Sequence, residues 1–115
     1  MACDNDFLLL LKSNGLAEGD QELREKLLKA FLSSLFELKA IPGRIVFSGT
    51  GIFLTTEGSP LADSIRQFEQ EGTQILSCST CLDHYGRKDK IIIGRATTMK
   101  ETVAAMLATP KVMAP

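Results

Sequence analysis

Apolar residues in this chain come in short blocks separated by turn formers, and the blocks have two different periods. Residues 6–12 enclose an unbroken apolar run, Phe7 to Leu11, which predicts a strand buried on both faces. Turn-forming residues fill 13–20, Asp20 is a good N-cap, and strong periodicity then predicts a helix over 21–38. Leu23, Leu27, Phe31, Leu35 and Leu38 are expected to form its buried stripe, with Arg24, Glu25, Lys29 and Glu37 away from it. Pro42-Gly43 breaks the chain before a second strand over 44–48, followed by the small-residue loop Ser48-Gly49-Thr50-Gly51. Ser59-Pro60 reads as an N-cap with proline at the first helical position. That helix carries Leu61, Ile65 and Phe68 inward and stops at Gly72.

Residues 73–77 predict a third strand. The triplet Ile91-Ile92-Ile93, within 90–95, fits either a strand or a tightly packed loop. Thr98 and Glu101 make a capping box for a last helix carrying Val103, Met106 and Leu107, and residues 111–113 predict a short final strand. Alternating strands and helices imply an α/β chain, a three-layer α/β/α sandwich around a mainly parallel sheet with right-handed crossovers. Such folds bind ligands beyond the carboxyl ends of the strands, where strand order reverses. Three loops are expected at that edge: 13–20, 48–51 and 78–81.

The chain length of 115 residues fits one domain spanning 1–115, with 1–5 expected to be flexible. A formal net charge of −1 removes the broad electrostatic case for nucleic acid or an anionic membrane surface. No apolar run is long enough to span a bilayer, and the first residues do not read as a secretory signal, so a cytoplasmic protein is expected. The three cysteines, Cys3, Cys78 and Cys81, are not a secreted disulfide framework; thiols in a reducing compartment fit better. One cysteine pair and the single histidine, His84, fall short of a structural zinc set, and neither a metal nor a cofactor is expected.

Candidate chemistry concentrates in Cys78-Ser79-Thr80-Cys81-Leu82-Asp83-His84-Tyr85-Gly86. An apolar strand ends in one cysteine, and a second follows in the first turn of a short helix that Thr80 is expected to cap and Gly86 to stop. Unpaired N–H groups at a helix start favour thiolate, so Cys78 and Cys81 are expected to ionise more readily than Cys3. His84, one turn beyond Cys81, is a candidate proton partner or a solvated side chain. The bland alternative is a pair of small buried residues, since free cysteine often packs in cores. Thioredoxin-like enzymes share the spacing but carry a proline near the motif that is absent here. The loop over 15–20 lacks both the phosphate-loop lysine and the dinucleotide glycine pattern. The run Arg87-Lys88-Asp89-Lys90 reads as a solvated turn that could also steer an acidic partner.

These residues resemble the DsrE-like superfamily of sulfur-relay proteins, most closely the C-terminal domain of YedF-type proteins. The resemblance runs from Phe7 to Pro115. It rests on Gly15-x-x-x-Gly19-Asp20-x-Glu22-Leu23, Glu57-Gly58-Ser59, Cys78-x-x-Cys81-Leu82-x-x-Tyr85-Gly86 and the ending Lys111-Val112-Met113-Ala114-Pro115. It implies a five-stranded parallel sheet and a persulfide carried on Cys78, which matches the single cysteine of the TusD and DsrE members. Cys81 belongs to the YedF-type pattern. YedF-type proteins normally also carry an N-terminal TusA-like domain and are linked by name to selenium metabolism; these 115 residues are expected to be either a stand-alone relative or a domain excised from such a protein.

The resulting expectation is a sulfur-relay protein, a sulfurtransferase holding sulfane sulfur (or selenium) on the Cys-x-x-Cys motif, with a TusA-like or other protein as donor or acceptor. The alternatives are a binding or assembly module with structural cysteines, and a dithiol redox switch. A homo-oligomer is expected as well, with Ile52-Phe53-Leu54 or Ile91-Ile92-Ile93 at the contact.

Overall fold

The computed structural model describes residues 3–115. Five strands, β1 (Asp4–Leu11), β2 (Pro42–Phe47), β3 (Gln74–Cys78), β4 (Arg95–Thr97) and β5 (Lys111–Met113), form one sheet in the order β4-β3-β2-β1-β5. Every neighbouring pair is parallel. The helices are α1 (Gln21–Glu37), α2 (Ala62–Gln70), α3 (Ser79–His84) and α4 (Met99–Ala108), with a 3-10 segment at Gly49–Leu54. This is the expected three-layer α/β/α arrangement.

Strand order explains the uneven layers. From β1 to β4 the chain steps along the sheet in one direction, and right-handed crossovers then put α1, α2 and α3 on one face. From β4 it returns across the sheet to β5, and the same handedness puts α4 on the other face. Packing follows this division. Phe7, Leu9, Leu11, Ile45, Phe47 and Ile75 face a large core with Leu28, Leu32, Leu35, Ile65 and Phe68. Leu8, Val46 and Leu76 face a much smaller one with Ala105 and Met106. The central strands are therefore apolar on both faces, which is why they lack alternation.

Several elements depart from their sequence signals. The buried stripe of α1 is Leu28, Leu32 and Leu35, whereas Leu23, Leu27 and Leu38 are exposed. Only Leu35 belongs to both sets: spacing by four drifts around a 3.6-residue helix, so the chosen stripe slid off the buried face. In α4 the inward side chains are Ala105 and Met106, and Val103 and Leu107 point outward, with Leu107 84% exposed. The α2 helix starts at Ala62 rather than after Ser59; Ser59 Oγ instead accepts from the Leu61 N–H in a turn before it. Within the segment expected to be flexible, Asp4 and Asn5 open β1, where the Asp4 N–H donates to the Ile41 carbonyl at 2.7 Å. Residues 1–2 of that expectation lie outside the described residues.

Ile91, Ile92 and Ile93 form a packed loop. Its backbone joins 55–57 through an antiparallel bridge between Thr56 and Ile91 and a bond from Ile92 N–H to Thr55 O. Ile93, Ile52 and Leu54 are core residues of this chain, whereas Ile92 remains exposed and Phe53 and Ile91 half-buried. Gly94 then takes a left-handed φ of +71° with its Cα against the backbone of Ile75, a position that admits no side chain.

Candidate functional site

Cys78 is both the last residue of β3 and the N-cap residue of α3. The helix begins at Ser79, two residues earlier than a Thr80 cap implies. The Cys78 side chain makes no capping hydrogen bond, so its sulfur remains available for other contacts. It is buried, whereas Cys81 in the first turn is half-buried. Both are free thiols.

The placement of Cys78 follows from topology. It stands in register with Thr97, the last residue of β4. The chain leaves β3 for α3 on one face and leaves β4 for α4 on the other, so the two connections diverge between these residues. That divergence is the crevice at which open parallel sheets hold their ligands.

Of the other two loops, the one after β2 reaches Cys81. After β2, the backbone N–H of Ser48 donates to Leu11 O, and Thr50 Oγ1 accepts from the Asn14 N–H at 3.2 Å. Between them Gly49 adopts φ +57°, and its N–H donates to Cys81 Sγ at 3.1 Å. The loop over 13–20 is pinned rather than open: Arg24 donates to Ala17 O, Ser13 Oγ and Gln21 Oε1, and Asp20 caps α1 by accepting from the Leu23 N–H at 2.9 Å. That loop is thus a structural brace.

The electrostatics oppose the expectation of an activated Cys81. Burial pushes the Cys81 thiol above its ordinary value, and its hydrogen bond and charge interaction with Cys78 push it the same way. The Gly49 N–H pulls it down, but less than the other effects combined. Gly49 N–H, the Cys81 sulfur and the neighbouring Cys78 thiol thus line up as a short sulfur relay, in which the hydrogen bond is the one from Gly49 to Cys81. Cys81 is consequently a protonated thiol at neutral pH, contrary to the helix-start argument: α3 is only six residues long, and desolvation outweighs the field at its start.

His84 is brought to α3 but not turned to the relay. It is exposed, and its ring meets Tyr85 edge-to-face at 4.9 Å. Tyr85 stacks at 4.9 Å on Phe53, and the Arg87 guanidinium lies 4.8 Å from the Phe53 ring centre while donating to Glu57 O. The run 87–90 is tied back on itself, since Lys88 pairs with Asp83 and Lys90 with Glu57. Beside Phe53 and Arg87 opens a cavity of about 280 Å³ that reaches Asn14 and Glu25 at the same end of the sheet. Among the described residues, no group of three or more His, Cys, Asp or Glu comes together to hold a metal, and no helix is long and apolar enough to cross a membrane.

Sequence reasoning missed two participants. Gly49 was visible only as part of a small-residue loop, because no side-chain signal reveals where an amide points. Thr97 was invisible as a neighbour of Cys78, because its short strand follows the apolar triplet that drew the eye.

Three solved structures share this fold. They are MTH1491 from Methanobacterium thermoautotrophicum, a protein of unknown function (17% identity, 95% of this chain and 97% of that one, TM-score 0.66); the ychN protein of E. coli (14%, all of both chains, 0.69); and BT1422 from Bacteroides thetaiotaomicron, a conserved protein of unknown function (19%, 96% of each, 0.65). At such identities the likeness defines the class of fold, a five-stranded parallel α/β/α sandwich matched over the whole chain. No family model and no curated protein matches the sequence.

Proposed function

We propose that this protein is a DsrE-like sulfur carrier of YedF type, which accepts sulfane sulfur, or selenium, on Cys78 and uses Cys81 to control its release. The observation that carries this reading is the pair of free thiols at the strand-order crevice, with Cys78 ending β3 and Gly49 N–H donating to Cys81 Sγ one helical turn away. In loading, the Cys78 thiolate attacks the outer sulfur of a donor persulfide, R–S–SH. The donor S–S bond breaks, R–S⁻ leaves, and Cys78–S–SH remains. In delivery, an acceptor thiolate attacks that outer sulfur and Cys78 departs as thiolate. The Cys81 S–H donates a hydrogen bond to whichever sulfur of Cys78 carries charge, and so stabilises both the attacking and the departing form.

The contact between the two thiols also favours a second reading, a dithiol switch. There Cys81 attacks the inner sulfur of the persulfide, HS⁻ leaves, and a Cys78–Cys81 disulfide forms that a dithiol reductant must reopen. In either case the partner is a protein or small thiol that presents a sulfane sulfur or accepts one, and a TusA-like protein is a fitting donor.

Self-association is part of the proposal. Met99, Val103 and Leu107 recur at one-turn spacing on the outer face of α4, and all three are exposed, as are Val112 and Met113 on the β5 edge. A second copy of this chain covering that surface would bury apolar area and an edge strand together. A cyanolysis assay tests the carrier reading. Protein loaded with a persulfide donor and then desalted should release thiocyanate, Cys78→Ser should release none, and no release from the unaltered protein would refute it.

A further inference from the structure

The thin side of the sheet carries a feature that the sulfur relay does not use. Arg44 stands on β2, the middle strand, on the face covered only by α4. It is half-buried, and among the described residues its guanidinium has no hydrogen-bond or ion-pair partner. A cation held against Val46 and Leu76 loses hydration, and proteins normally answer that loss with a partner. Its neighbour in register across to β3 is Gln74, whose amide lines the same hollow.

The hollow itself is well defined. It is an open groove of about 330 Å³ between α4 and the sheet, floored by Val46 and Leu76 and walled by Ala105 and Ala108, with Gln74 and Arg95 exposed at its rim. A second cavity of about 180 Å³ adjoins it and shares Arg44, Gln74 and Ala108. The first volume lies within the range of small-ligand sites, as does the mixture of apolar walls with a few polar groups. The hollow exists because α4 presents Ala104, Ala105 and Ala108 to it, leaving room that larger side chains would fill. Its charge is lopsided. Arg44 and Arg95 face a single carboxylate, Glu101, which already sits 3.8 Å from Arg95 and accepts from Thr97 Oγ1. One positive charge is left over, at the Arg44 end.

We infer that this hollow binds an organic carboxylate with a short unbranched apolar chain. The carboxylate pairs with the Arg44 guanidinium and takes a further hydrogen bond from the Gln74 amide, and the chain lies along Val46, Leu76, Ala105 and Ala108. A planar guanidinium presents paired N–H groups that match a carboxylate, which gives the site its chemical preference. Neither Cys78 nor Cys81 lines the hollow, although Thr97, in register with Cys78, stands at one end of it.

The test is a titration of the ¹⁵N-labelled protein with octanoate, followed by backbone amide shifts, with octanol as the uncharged control. Saturable shifts at Val46, Gln74, Leu76 and Ala105 are expected with octanoate, and octanol should bind at least about tenfold more weakly, the loss that goes with one charge-assisted pair. Arg44→Gln should weaken octanoate to a similar degree and Arg44→Lys by less. The octanol comparison needs no variant, so it decides the matter even if Arg44→Gln fails to fold. Equal binding of octanol overturns the inference, as do shifts confined to Met99, Val103 and Leu107, or no saturable shift. Broadening of the hollow's signals with protein concentration alone would show that a second copy fills it, and would overturn the inference too.

Discussion

The amide of Gly49 and the sulfur of Cys81, 32 residues apart in sequence, meet at 3.1 Å. This single contact joins the loop after β2 to the helix after β3 and fixes the thiol that in turn faces Cys78. It depends on an unusual backbone, because Gly49 has φ +57° and a Cβ there would lie 2.8 Å from the carbonyl oxygen of Lys12.

Gly49→Ala should therefore destabilise the protein by about 1–3 kcal/mol, the combined cost of a left-handed alanine and the close approach. Urea unfolding measures this. A variant as stable as the parent would mean that the turn is relaxed rather than braced.

Ionisation of Cys81 supplies a second test. Its folded value lies above the unfolded one, so its contribution to stability is fully present below the ordinary thiol value of ~8.5 and is lost as pH rises through the raised folded value. The urea midpoint of the parent should fall between pH 8 and pH 10 by more than that of Cys81→Ser. Iodoacetamide at pH 8 should also label Cys81 more slowly than it labels free cysteine in solution. Labelling faster than free cysteine would restore the idea of an activated thiol.

Much of this was legible in the sequence, for identifiable reasons. Continuous apolar strands, the Asp20 cap, the Thr98–Glu101 box and the stop at Gly72 are local signals, and Asp20 accepts from Leu23 N–H and Thr98 from Glu101 N–H as those signals imply. The placement of Cys78 at the sheet edge was equally readable, because strand ends in parallel sheets are where sites form. What failed was non-local. Which side of α1 and α4 is buried depends on what lies beneath, and α4 faces a sheet that accepts alanines rather than Val103 and Leu107. The ionisation of Cys81 was misjudged because burial, which a sequence does not display, outweighs a short helix.

His84 should be dispensable. It is exposed and meets Tyr85 rather than either sulfur, so His84→Asn should leave the rate of thiocyanate release within about twofold of the parent, since the unaided Cys81–Cys78 pair already supplies the proton relay. A loss of tenfold or more would give the histidine a chemical role that its position does not suggest.

Self-association should depend on the outer face of α4. Leu107 is 84% exposed, so Leu107→Asp removes no core packing and should leave the unfolding midpoint of the isolated chain within about 0.5 kcal/mol. Light scattering should show the parent as an oligomer and the variant shifted toward monomer. A parent that stays monomeric at every concentration removes the interface.

The central claim is that Cys78 holds the transferred sulfur while Cys81 governs it. Intact-protein mass spectrometry after incubation with a persulfide donor reads this directly. The account predicts a gain of one sulfur atom in the parent and, longer-lived, in Cys81→Ser, with no gain in Cys78→Ser. An adduct that survives in Cys78→Ser, or no adduct in any of the three, would contradict it.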